Sequence, residues 1–118
     1  MDDKIVSLAV PGKDTHLSGF TTAQFKKIDG LFLMAASRKA INHRTVECDF
    51  EAGTATYTYY KNEGQQPLLS FVIQRVGPRT LMYEIYQQGK GRIAKSGLFE
   101  TAYDRLQDEI QNLIEISP

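Results

Sequence analysis

Residues 89–97, Gly89-Lys90-Gly91-Arg92-Ile93-Ala94-Lys95-Ser96-Gly97, carry the most suggestive chemistry of the chain. Three cations lie among three glycines, just ahead of an apolar period that predicts a helix. A glycine-rich basic connection of this kind offers free backbone N–H groups, and the positive end of the following helix dipole favours an anion beside them. The Gly-x-x-x-x-Gly-Lys-Ser/Thr spacing of a phosphate-binding P-loop is missing. A plain flexible turn with surface cations is the commoner use of such a segment. Lys90, Arg92 and Lys95 are the first candidate ligand-binding residues, and Arg75 and Arg79 of the preceding hairpin join them.

Other reactive groups are scattered. His16 and His43 have no second histidine or cysteine at metal-ligand spacing, so neither a metal nor a cofactor is expected. Cys48 and His43 suggest a thiol–imidazole pair, but Cys48 points inward on its predicted strand and reads as a small core thiol. Glu47, Asp49 and Glu51 alternate on one outward face, where nothing apolar stands by to raise a carboxylate pKa. The outward positions Thr54, Thr56, Thr58, Tyr60, Ser70, Val72, Gln74, Met82, Glu84 and Tyr86 make a hydroxyl-rich surface. Tyr60 and Tyr86 could stack on the bases of an extended strand. The same tyrosines and methionine suit an oligomer interface.

The elements that must position these groups are two back-to-back hairpins and a helix. In 46–59, Val46, Cys48 and Phe50 alternate with acidic residues, the period of two of a half-buried strand. A two-residue Ala52-Gly53 loop pairs Glu51 with Thr54, Phe50 with Ala55, Cys48 with Tyr57 and Val46 with Tyr59. In the second hairpin, a three-residue Gly77-Pro78-Arg79 loop sets Ile73 opposite Tyr83, Phe71 opposite Ile85 and Gln74 opposite Met82. A two-residue Gly77-Pro78 loop would instead set Ile73 opposite Met82 and scramble the faces. Residues 62–67 link the hairpins as a polar turn-rich loop. The spacing of Phe99, Ala102, Leu106, Ile110 and Leu113 predicts a helix over 97–116, with Ser96 as its N-cap.

Residues 21–41 admit two readings. Thr21-Thr22-Ala23-Gln24 resembles a capping box, and Phe25, Ile28, Leu31, Phe32, Ala35 and Ala36 form a helical stripe. Asp29-Gly30 is a hairpin dipeptide, yet a hairpin there would leave neither face cleanly apolar. A helix is expected. Residues 1–20 read as loop with a short strand at Ile5–Val10.

With 118 residues, 42% apolar and 24% charged, the chain is long enough for one domain spanning 1–118. Fourteen basic and fourteen acidic residues balance, which removes the whole-molecule electrostatic case for nucleic acid or an anionic membrane. No apolar run is long enough to span a membrane, and the acidic first ten residues do not read as a signal peptide. A single cysteine points to a reducing cytoplasm.

Four antiparallel strands followed by one long helix, over roughly 45–116, resemble the unit of the Whirly and transcriptional-positive-cofactor type of single-stranded-DNA-binding domain. The resemblance implies helix-paired dimers whose curved sheets bind single strands; it is one of element order. A cystatin-like sheet wrapped on one helix is the nearest competitor and needs no long C-terminal helix. The expected architecture is therefore α+β: an antiparallel four-stranded sheet, with room for a fifth N-terminal strand, backed by a C-terminal helix and an N-terminal one. The expected function is a non-catalytic module, acting as a homodimer, that binds single-stranded nucleic acid weakly and without sequence preference. A protein-assembly module is the alternative, and a small enzyme holding a phosphate anion at 89–97 is third. Leu98, Tyr103, Ile114 and Ile116 supply apolar surface for the dimer, beyond what one sheet face needs.

Overall fold

The structure is a computed structural model that describes residues 20–116. Helix α1 spans Thr22–Ser37, and five strands follow: β1 His43–Asp49, β2 Thr54–Tyr60, β3 Pro67–Gly77, β4 Thr80–Gln87 and β5 Gly91–Ser96. Helix α2, Phe99–Ile116, comes last. The strands form one antiparallel sheet in the order β1-β2-β3-β4-β5, each paired with its sequence neighbours. The fold is α+β, as expected, with one helix at each end of the sheet sequence. The fifth strand is not the expected N-terminal one: Ile5–Val10 lies outside the described residues, and residues 91–96 supply β5 instead. Five strands rather than four therefore precede the final helix.

Helix α1 begins with the expected capping box. The Gln24 N–H donates to Thr21 Oγ1 at 3.0 Å, and the Thr21 N–H donates to Gln24 Oε1 at 3.2 Å. It ends at Ser37, four residues before the expected boundary. Lys39 takes a left-handed conformation (φ 63°), and the Lys39 and Ala40 N–H groups donate back to Ala36 and Ala35. This double closure satisfies the last carbonyls and turns the chain toward β1.

Both helices pack on one face of the sheet. From the sheet, Val46, Cys48, Ala55, Tyr57, Tyr59, Leu69, Phe71, Ile73, Tyr83 and Ile85 are buried; Ile28, Leu31, Ala35, Ala102, Leu106, Ile110 and Ile114 meet them. Full burial of a side chain such as Leu106 or Ile110 contributes about 1.5–3 kcal/mol. Helix α1 is anchored over β1 and β2. Tyr59 Oη donates to the Ile28 carbonyl at 2.9 Å, and Asp29 accepts from both Arg44 Nε, at 2.8 Å, and Tyr57 Oη. Asp29-Gly30, the hairpin dipeptide, thus lies inside a helix because its carboxylate is held from below by two strands. Helix α2 lies over β4 and β5, with Phe99 edge-on to Phe71 and Tyr83. Lys27 bridges the helices, 3.0 Å from Glu100 and over the Tyr103 ring.

The second hairpin has the expected register as far as Arg75, with Ile73 facing Tyr83, Phe71 facing Ile85 and Gln74 facing Met82, but not the expected three-residue loop. The offset is achieved by a two-residue Pro78-Arg79 turn, because Gly77 pairs with Thr80, and by a bulge at Val76. The first hairpin is shifted by two residues. Asp49 pairs with Thr54, Cys48 with Ala55 and Val46 with Tyr57, so 50–53 is a four-residue turn. The Asp49 carboxylate draws in the Ala52 N–H at 3.1 Å, and Gly53 closes the turn at φ 70°. A Cβ on Gly53 would stand 3.2 Å from that of Arg75, a second reason for glycine there. Phe50 is consequently an exposed turn residue rather than a core residue. A two-residue slip preserves the faces, so the inward and outward sets are otherwise unchanged.

Candidate functional site

The opposite face of the sheet is covered by no described element, and its side chains fall into rows set by the register. One row runs Thr45, Thr58, Ser70, Tyr86, Arg92 from β1 to β5, and the next runs Glu47, Thr56, Val72, Glu84, Lys95. A shorter row holds Asp49, Thr54, Gln74 and Met82. Hydroxyls link neighbouring strands: Thr58 Oγ1 and Ser70 Oγ are 3.3 Å apart, as are Thr45 Oγ1 and Tyr60 Oη.

Glu84 is the unexpected member. Although it lies on the open face, it is only 6% exposed. Tyr86 Oη donates to Glu84 Oε1 at 2.6 Å, and Arg92 Nη1 is 3.6 Å from Oε2. Donating to that carboxylate raises the Tyr86 hydroxyl pKa above its ordinary value. Sequence reasoning put Glu84 on the outward face but gave it no partner. Tyr86 lies two residues along the same strand, but the cationic partner becomes visible only once β5 pairs with β4, because Arg92 then lies across from Tyr86.

Strand β5 corrects the reading of 89–97. Its residues are not a free loop feeding a helix N-terminus: 91–96 are committed to the ladder, and only Gly97-Leu98 separates β5 from α2. Ser96 Oγ accepts from the Leu98 N–H at 3.0 Å, one residue short of the helix, so Ser96 belongs to the strand end and turn rather than to a cap. The turn itself is tight, with Gly89 at φ 80° and the Lys90 N–H donating to the Gln87 carbonyl at 3.0 Å.

The seven candidate residues do not converge. Arg79 is in the β3–β4 turn, and the Arg75 N–H donates to the Gly53 carbonyl at that same end of the sheet. Lys90 is in the β4–β5 turn at the other end, roughly 25 Å away along the eight residues of β4. Tyr86 and Arg92 are neighbours, with Lys95 one row on. Tyr60 lies on β2, two strands or roughly 10 Å across the ladder from β4. Its hydroxyl turns to Thr45 and its ring packs against His43, on the side away from Tyr86.

Apart from the buried Glu84 on β4, charge on this face is segregated. Glu47 and Asp49 lie on β1, Arg92 and Lys95 on β5, and β2 and β3 bring no cation to the face. Of the three acidic residues expected to line up, Glu51 has left the strand for the turn. Cys48 is buried on the helix side, where burial pushes its thiol up to about 11, whereas His43 lies on the open side. Two opposite faces of a sheet cannot build a thiol–imidazole pair.

Comparison with protein-family models, with curated proteins and with solved structures returns no match.

Proposed function

We propose that this protein is a non-catalytic binding module whose open sheet face holds another protein. One observation carries the reading: the face combines half-buried Val72 and Met82 on its inner strands with Glu47, Asp49, Arg92 and Lys95 on its two edge strands. Glu84, the one charge on an inner strand of the face, is buried against Tyr86 and Arg92. An apolar centre within a polar rim is the arrangement of protein–protein interfaces. Single-stranded nucleic acid is the second reading, favoured by the pairing of Tyr86 with Arg92 and by the Whirly-type resemblance. Against it, phosphate binding needs cations along the whole path of the strand. Here Arg92 is engaged by Glu84, and the β1 side of the face is acidic. The lone Cys48 thiol suits a reducing cytoplasm, which belongs to the same reading.

The dimer loses part of its helical basis, since Ile114 is buried against the sheet and Tyr103 stacks on Phe99, leaving Leu98 and Ile116 as the exposed surplus. A homodimer through α2 is therefore less well supported than association through the sheet. The test is a photo-crosslinking residue at position 72, with position 115 on α2 as control. Protein adducts specific to position 72 support the reading. Equal adducts at both positions, or binding of a mixed oligonucleotide at low salt that is lost when Lys90, Arg92 and Lys95 are replaced, overturn it.

A further inference from the structure

We infer that the occupant of the open face is a second copy of this chain, related by a two-fold axis along the strand direction; this rests on the protein-binding reading above. Such an axis, running parallel to the central strand β3 and about 5 Å above the open face, keeps each residue at its own height along the strands while exchanging left for right. Strand β1 of one copy then lies over β5 of the other. The two edges carry opposite charge, so an isologous contact is self-complementary.

The match extends to single residues. Glu47 on β1 and Lys95 on β5 belong to one cross-strand row, two strands to either side of Val72. The two-fold therefore sets Glu47 over Lys95 of the second copy, twice per dimer, and Val72 over its own equivalent at the axis. In the row beside it, Thr45 lies over Arg92 of the second copy, and Gln74 meets Gln74 in the third. The alternative two-fold, across the strands, would set β1 on β1 and stack like charges, which is destabilising. Faces of five strands packed about 10 Å apart, with strands nearly aligned, bury roughly 1,000 Å² in total, the lower bound of a specific interface. Area alone does not set affinity, and a micromolar dimer is the outcome expected of an interface this small.

Charge reversal tests the geometry as well as the association. Sedimentation velocity on the full chain at low salt is expected to show a dimer that weakens at least tenfold in Glu47→Lys and in Lys95→Glu. An equimolar mixture of these two variants pairs again, because each contact then joins a lysine to a glutamate, and the doubly reversed chain regains its own dimer. All three variants change exposed strand residues, and circular dichroism checks that they fold. A wild-type chain that stays monomeric up to roughly 300 µM overturns the inference. So does a mixture that fails to pair. If the chain is monomeric while the position-72 crosslinker still captures a different protein specifically, the binding face stands and the second copy falls. If neither occurs, both fall.

Discussion

Replacing Asp29 by Ala removes two contacts whose cost can be separated. Tyr57 is fully buried and its hydroxyl donates to the Asp29 carboxylate. Without that acceptor the hydroxyl loses its observed partner under α1, a cost of about 1–3 kcal/mol. The Arg44 guanidinium, which also bonds Asp29 and lies over the Phe32 and Tyr57 rings, loses its ion pair. Both members of that pair are partly exposed, so solvent screening limits its share to about 1 kcal/mol. Alanine returns up to about 0.5 kcal/mol of helix propensity. The net expectation is a loss of about 2–3 kcal/mol in urea unfolding, read from the midpoint at unchanged m-value. In a Tyr57→Phe background the hydroxyl is already gone, and Asp29→Ala then costs only about 1 kcal/mol. Asp29→Asn keeps an acceptor and also costs about 1 kcal/mol. Equal losses for Asp29→Ala in the two backgrounds would refute the claim that this carboxylate pins α1 to β2.

Two further outcomes are expected. Cys48 has its folded pKa raised from 9.0 to about 11, so above pH 9 the folded state holds a proton that the unfolded state releases. Stability is fully present below that pH and falls as pH rises through it, by about 2 kcal/mol at pH 11. Burial raises Tyr57 and Tyr59 too and steepens the fall above pH 10. Cys48→Ala should flatten the urea midpoints between pH 9 and 10, and an unchanged slope would locate the alkaline loss elsewhere. Lys39→Gly should stabilise by about 0.5–1 kcal/mol, because glycine takes the left-handed turn without the steric cost a lysine bears; thermal denaturation gives the sign.

Most of the sheet was legible because its inward residues are large, apolar and spaced by two. The pairing of the second hairpin was readable because any other offset would have buried Gln74 and exposed Ile73; its turn was not, since a two-residue turn with a bulge at Val76 gives the same offset as the expected three-residue loop. The first was misaligned because Phe50 looks like a core residue, and nothing in its type shows that Asp49 seizes the Ala52 N–H and opens a wider turn. Strand β5 escaped notice for a different reason. A bulge between Ile85 and Tyr86 pairing lets both Ile93 and Ala94 fall between Arg92 and Lys95, which destroys the period of two. The candidate site suffered from the same loss: with 91–96 taken as a loop, its cations were free to be imagined around an anion. In the sheet, Arg92 is tied to Glu84 and the rest are spread along opposite ends.

The strictly sequential pairing of the strands also shapes how the chain emerges during synthesis. Each strand can zip onto the one before it within about 1–10 µs, far faster than the next is made. The aromatic side of the young sheet, however, receives its second cover only when α2 has been translated. At about 5–20 residues per second, Phe71 waits roughly 2–9 s for the last turn of that helix. Over that interval the nascent protein is a formed ribbon with a bare, sticky flank beneath the β4 and β5 strands. Chaperone capture, and sensitivity to a ribosome that stalls between residues 71 and 116, should concentrate there.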